Sequence, residues 1–137
     1  MSEALNGAAR DLLRFPDLTV EIIERLPDGL LMVELADPGR VLYANPSALL
    51  LTGYSRGQLY ALPSVDELVP EEMRAAHSGF RAAFRADPSV RSMGTRPEGI
   101  TVRARSGERI PADVMLVPLS SPVGSIVVAI LRRRRGA

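Results

Sequence analysis

The hydrophobic pattern of this chain predicts an α+β domain, a curved antiparallel sheet with helices across one face. Three observations carry that expectation. Two strand-like apolar runs flank the turn Asp37-Pro38-Gly39. The middle of the chain, from about residue 46 to about 85, changes to helical periodicity. Three further strand-like runs follow at about 99–105, 109–119 and 124–132, parted by Ser106-Gly107 and by residues 121–124.

Each element has its own local cause. Residues 5–13 place Leu5, Ala8, Ala9, Leu12 and Leu13 on one helical face, and Pro16 interrupts it. A second short helix, roughly 18–25, carries Leu18, Ile22, Ile23 and Leu26. Pro27-Asp28-Gly29 is a turn, residues 30–35 form a strand, and residues 40–44 are its hairpin partner. Asn45-Pro46 then opens a helix, because Asn is a good N-cap and Pro suits the first helical position. Gly53 ends it, as a C-cap glycine does. Ser55 begins another short turn carrying Leu59. Ser64 and Glu67 have capping-box spacing, which predicts one helical turn at 66–69. Pro70 starts a longer helix to about Arg85, with Met73, Ala76, Phe80 and Phe84 on its apolar stripe and Arg74, Arg81 and Arg85 off it. Asp87-Pro88 stops that helix, and residues 89–98 read as an irregular loop. In the 109–119 run, Ala112, Val114 and Leu116 alternate with Asp113, Met115 and Val117. Both faces are largely apolar, so both are expected to be covered.

Composition removes several kinds of chemistry. A chain of 137 residues suits one domain. It has no cysteine, which excludes disulfides, thiolate metal sites, Cys nucleophiles and cysteinyl-flavin photochemistry. All 17 basic residues are arginine, so lysine Schiff bases and a P-loop lysine are excluded too. His77 is the single histidine, which rules out sites needing two imidazoles. No serine sits in a Gly-x-Ser-x-Gly elbow. Glu71 and Glu72 are neighbours that point apart on a helix, so they are no carboxylate pair. The expectation is a non-enzyme.

The net charge of +1 hides an asymmetry, since Arg132 to Arg135 hold four positive charges. Without them 13 basic residues face 16 acidic ones, a net of −3, so the body offers no nucleic-acid footprint. The arginine run itself reads as a solvated tail or linker. No apolar run reaches the ~18 residues of a membrane span, and the N-terminus lacks the pattern of a signal peptide. A cytoplasmic protein is expected.

Taken in order, Leu26-Pro27-Asp28-Gly29, Tyr43-Ala44-Asn45-Pro46, Gly53-Tyr54-Ser55, Leu68-Val69-Pro70-Glu71-Glu72, Met93-Gly94 and Ser106-Gly107-Glu108-Arg109-Ile110-Pro111 resemble a PAS domain. The resemblance runs from about Leu26 to Arg132. It implies a five-stranded antiparallel sheet in the order 2-1-5-4-3 with helices on one face. It also implies a sensory and dimerisation module of bacterial signalling, including two-component systems, that acts with an output domain or partner protein. The division expected is 1–25 as an N-terminal helical extension for dimerisation, 26–132 as the PAS domain, and 133–137 as a basic tail or linker.

The expected ligand site is a cavity between the long helix and the sheet, lined by Leu50, Met73, His77, Phe80, Val114, Leu116, Val128 and Ile130. These residues fall on inward faces at helical and strand periods, with one polar group among them. The small-molecule ligand is unknown. The region also resembles the haem-binding PAS domains of oxygen-sensing kinases, which place a histidine seven residues after a proline, as Pro70 and His77 stand here. That resemblance offers His77 as an axial haem ligand. The positions serving the haem propionates in that group are Ala83 and Ser89 here, and the distal arginine position falls near Arg96 or on Glu98. The expectation is weak or no haem, with Arg81 and Arg85 facing away. A homodimer is expected because Leu5, Leu12 and Leu13 need cover, as do Met115, Val117 and Leu119 on the outer sheet face.

Overall fold

A computed structural model of the chain describes residues 7–93 and 100–134. Leu5, Arg96, Glu98 and Arg135 lie outside the described residues. Two helices lead in, α1 (Gly7–Leu13) and α2 (Pro16–Arg25). The hairpin β1 (Gly29–Glu34) and β2 (Val41–Ala44) follows, then α3 (Pro46–Thr52), α4 (Arg56–Ala61) and two 3₁₀ turns at Val65–Leu68 and Glu71–Met73. The second turn runs into α5 (Arg74–Ala86), and the chain closes with β3 (Arg91–Met93), β4 (Ile100–Arg103), β5 (Arg109–Ser121) and β6 (Gly124–Arg133).

The sheet is antiparallel in the order β2-β1-β6-β5, with β3 and β4 both on the free edge of β5. This is the expected five-position order, with the edge position filled by two short segments. Residues 89–98 were expected to be loop; Arg91–Met93 is instead a strand paired to Val114–Leu116 of β5. Three residues are too few to show an alternation, which is why the pattern missed it.

Local chemistry sets the helix ends. Asn45 accepts from Ala48 N at the start of α3, and Gly53 ends that helix at φ 75°. Ser55 and Gln58 form the full capping box of α4. Ser64 caps the first 3₁₀ turn by accepting from Asp66 N, rather than through a box with Glu67.

Asn45 is fully buried and spends every polar group. Its Oδ1 accepts from Leu30 N and Ala48 N, and its Nδ2 donates to Ile23 O and Asp28 O. One side chain thus joins α2, β1 and α3. Tyr43 and Arg56 both bond the Glu24 carboxylate and add a second tie for α2. Burial, then the hydrogen bond to Glu24, pushes the Tyr43 phenol up to about 12. Beside this junction α3 sits very close to the sheet, because a Cβ on Gly29 would lie 3.1 Å from Ala48 Cα.

Register decides which strand residues face the helices. Leu31 and Leu116 flank Ala129, and Val114 pairs Leu131. The opposite face carries the Met115–Ile130 and Val117–Val128 pairs. Of the arginine run, expected as a solvated tail or linker, Arg132 and Arg133 belong to this sheet. β6 extends through Arg133, and Arg132, Arg133 and Arg134 pair with Asp28, Glu108 and Asp113.

Candidate functional site

A cavity of about 540 Å³ lies between α5 and the sheet. Its floor is built by Leu31 and Val33 of β1, Val114 and Leu116 of β5, and Val127, Ala129 and Leu131 of β6. Ala129 sits on the central strand between two leucines, so the floor is lowest there. The roof comes from Val65, Leu68 and Val69 around the first 3₁₀ turn and from Met73, Ala76, His77, Phe80 and Phe84. Met93 and Ile100 border the edge.

Of the residues expected to line the cavity, Met73, His77, Phe80, Val114 and Leu116 do so. Leu50, Val128 and Ile130 do not. Leu50 is 86% exposed, because α3 turns Ala48 and Thr52 to the protein. Three successive leucines on a seven-residue helix carry no phase of their own. Val128 and Ile130 are one residue out of step, and their neighbours Val127, Ala129 and Leu131 face the cavity. A strand that is apolar on both faces hides that shift, and a slip of one residue turns every side chain over.

The polar part of the wall is an ion cluster. His77 Nδ1 lies 2.5 Å from Asp66 Oδ1. Arg81 Nε donates to Asp66 Oδ1 at 2.9 Å and Arg81 Nη2 to Oδ2 at 2.8 Å. Arg81 Nη1 reaches Asp37 at 3.4 Å, and Arg85 approaches the same carboxylate at 3.6 Å. Burial alone raises the Asp66 carboxyl, but the hydrogen bonds from Arg81 and His77 outweigh it and hold the group down at about 2. The β1–β2 turn closes onto this cluster. Gly39 has φ 81°, a Cβ there would stand 2.8 Å from Arg81 Nη1, and its carbonyl accepts from Val65 N at 2.7 Å.

Arg81 was expected to face away, and it lines the cavity instead. It stands one turn beyond His77, and its long stem brings the guanidinium back to Asp66. Asp66 was not foreseen, since a four-residue 3₁₀ turn has no period to read. Arg91 lies with its guanidinium 5.2 Å from the Phe80 ring centre and 4.8 Å from that of Phe84. The wall offers little to haem. His77 Nε2 is an available nitrogen, but Arg81 and Arg85 are engaged by carboxylates, and Ala83 and Ser89 stand exposed where propionate partners were sought. The donor set does not match that cofactor. Among the described residues no three metal-binding side chains converge, and no helix is long and apolar enough to cross a membrane.

A family model described as the PAS fold matches residues 17–134. The chain belongs to the PAS family. No curated protein sequence matches it. Among solved structures, the PAS domain of a Desulfitobacterium hafniense protein is 18% identical with a TM-score of 0.69, over 83% of this chain and 99% of that one. A domain of a sensory box sensor histidine kinase/response regulator from Geobacter sulfurreducens is 25% identical with a TM-score of 0.58, over 85% of this chain and 91% of that one. A LOV domain from a blue-light activated histidine kinase of Erythrobacter litoralis is 21% identical with a TM-score of 0.64, over 82% of this chain and all of that one. PAS domains are sensory modules, found in histidine kinases and in LOV receptors.

Proposed function

We infer that this PAS domain is a non-catalytic, cytoplasmic sensor module that binds a small ligand between α5 and the sheet and signals to an output domain or partner protein. The observation that carries the reading is the cavity of about 540 Å³, a size suited to a small molecule, with mostly apolar walls and a few polar groups, His77, Arg81, Glu34 and Thr101. The nucleophile–base pairs of acyl or phosphoryl transfer have no counterpart in its wall. Ala129→Phe tests the reading, because it fills the floor from the centre. Loss of binding of a small apolar probe such as naphthalene, with the fold retained by circular dichroism, supports it. Undiminished binding in the variant overturns it.

The module acts as a homodimer in this reading, with residues 1–25 as its N-terminal helical segment. Supporting it, Leu12, Val20 and Ile22 are exposed on α1 and α2 and Phe15 between them, and Met115 and Leu119 are exposed on the outer sheet face. Sedimentation of a monomer at high micromolar concentration, or an association state unchanged by deleting residues 1–16, removes this part. Haem held by His77 is the weaker reading: Nε2 is free on an apolar cavity, but Ala83 and Ser89 supply no propionate partners. A Soret band on haemin titration that disappears in His77→Ala would establish it.

A further inference from the structure

The bonding inside the ion cluster restricts what the cavity accepts. Arg81 gives Nε and Nη2 to the two oxygens of Asp66 and reaches Asp37 through Nη1. Asp37 is shared with Arg85. Two guanidiniums therefore face two carboxylates, and the cluster is neutral when the imidazole is uncharged. Arg81 is the one arginine of the cavity wall, and its charge is already matched. Arg91 stacks on Phe80 and Phe84 outside the lining, its Nε buried without a partner among the described residues. Within the lining, Glu34 adds a negative charge and Arg81 offers no unmatched positive one. An anion inside would be an unmatched buried charge, which is strongly unfavourable.

The same cluster sets the imidazole tautomer. A carboxylate clamped by both nitrogens of a guanidinium edge is ionised and can only accept. His77 must therefore hold its proton on Nδ1, where it faces Asp66. The neutral ring then presents a bare lone pair at Nε2, and that atom has no partner among the described residues. Besides His77 and Arg81, the polar residues of the lining are Glu34, whose Oε2 accepts from Arg40 N, and Thr101; the remainder is aliphatic or aromatic.

We propose that the ligand of this cavity is an uncharged, largely apolar molecule with one hydrogen-bond donor, of the phenol, indole or lactam kind, and that the donor bonds His77 Nε2. The proposal rests on the ligand-binding reading above and narrows it. A carboxylate or phosphate ligand is disfavoured by the matched charges, and a pure hydrocarbon leaves Nε2 unused.

Because the chain has one histidine, ¹⁵N labelling gives a single pair of imidazole nitrogens to follow. The test compares naphthalene, 2-naphthol and 2-naphthoate at pH 8. The expected spectrum of the free protein has Nδ1 protonated and Nε2 unprotonated. 2-Naphthol should move the Nε2 resonance and bind about fivefold more tightly than naphthalene, the worth of one neutral hydrogen bond. 2-Naphthoate should bind most weakly. In His77→Leu the preference for 2-naphthol over naphthalene should vanish while naphthalene still binds. The proposal is overturned by a protonated Nε2 at pH 8, by equal binding of naphthol and naphthalene with Nε2 unmoved, or by naphthoate binding as tightly as naphthol. Those three results leave the cavity standing as a ligand site. Failure of all three probes to bind removes the ligand-binding reading, and this proposal with it.

Discussion

Two helices cover the same face of one sheet and do opposite things. α3 presses onto β1 through small residues, Ala48 against Gly29, and leaves no space. α5 stands away on His77, Phe80 and Phe84, over a floor lowered at Ala129, and leaves about 540 Å³. The polar groups differ in the same sense. Asn45, beneath α3, has all four of its hydrogen-bonding positions filled by backbone. His77, on α5, has one nitrogen filled and one free. Side-chain size along a helix, more than polarity, separates a junction from a binding site in this fold.

The junction should be the costlier place to disturb. Asn45→Ala removes four hydrogen bonds and leaves Leu30 N and the Asp28 carbonyl without a partner among the described residues, while Ala48 N keeps Asn45 O and Ile23 O keeps Leu26 N. It should lower stability by about 2–3 kcal/mol in urea unfolding. A loss under ~1 kcal/mol would deny that the junction is tight. The same substitution at the two alanines sharpens the contrast. Ala48→Leu should cost about 2–3 kcal/mol by overpacking against Gly29, whereas Ala129→Leu should stay within ~1 kcal/mol because it grows into space. Equal costs would mean that the two helices sit alike.

The ion cluster gives a pH signature. Asp66 is held below its ordinary value of 3.8, at about 2. Its contribution is therefore complete above about pH 4 and is lost as the pH falls towards 2. After discounting for solvent, it should amount to on the order of 1–2 kcal/mol. Stability measured from pH 5 to pH 2 should fall more steeply in the native chain than in Asp66→Asn, and parallel curves would contradict the pairing. The smallest effect is expected at Leu50→Gln, within about 0.5 kcal/mol, because that side chain is exposed.

These contrasts also mark what sequence patterns carry. The order of elements, the Asn45 cap and the inward phase of β5 were legible, because turns and an alternation with Asp113 fix them. Met73, His77 and Phe80 were legible from one helical stripe. Leu50 was misplaced because a short run of leucines has no phase. Val128 and Ile130 were misplaced although the signal was present. Pairing Ser121 with Gly124 across the turn at 121–124 sets Leu116 against Ala129, and Leu116 faces inward. Asp66 and the inward reach of Arg81 depend on long side chains meeting across elements, and no local period records such a meeting.

The central claim, an open α5 side beside a closed α3 side, is tested most directly by methyl NMR during a naphthalene titration. The account predicts shifts at Leu31, Leu116, Ala129 and Leu131, with Ala44, Ala48 and Leu59 unmoved. Shifts centred on Ala44 and Leu59, or none at Ala129, would contradict it.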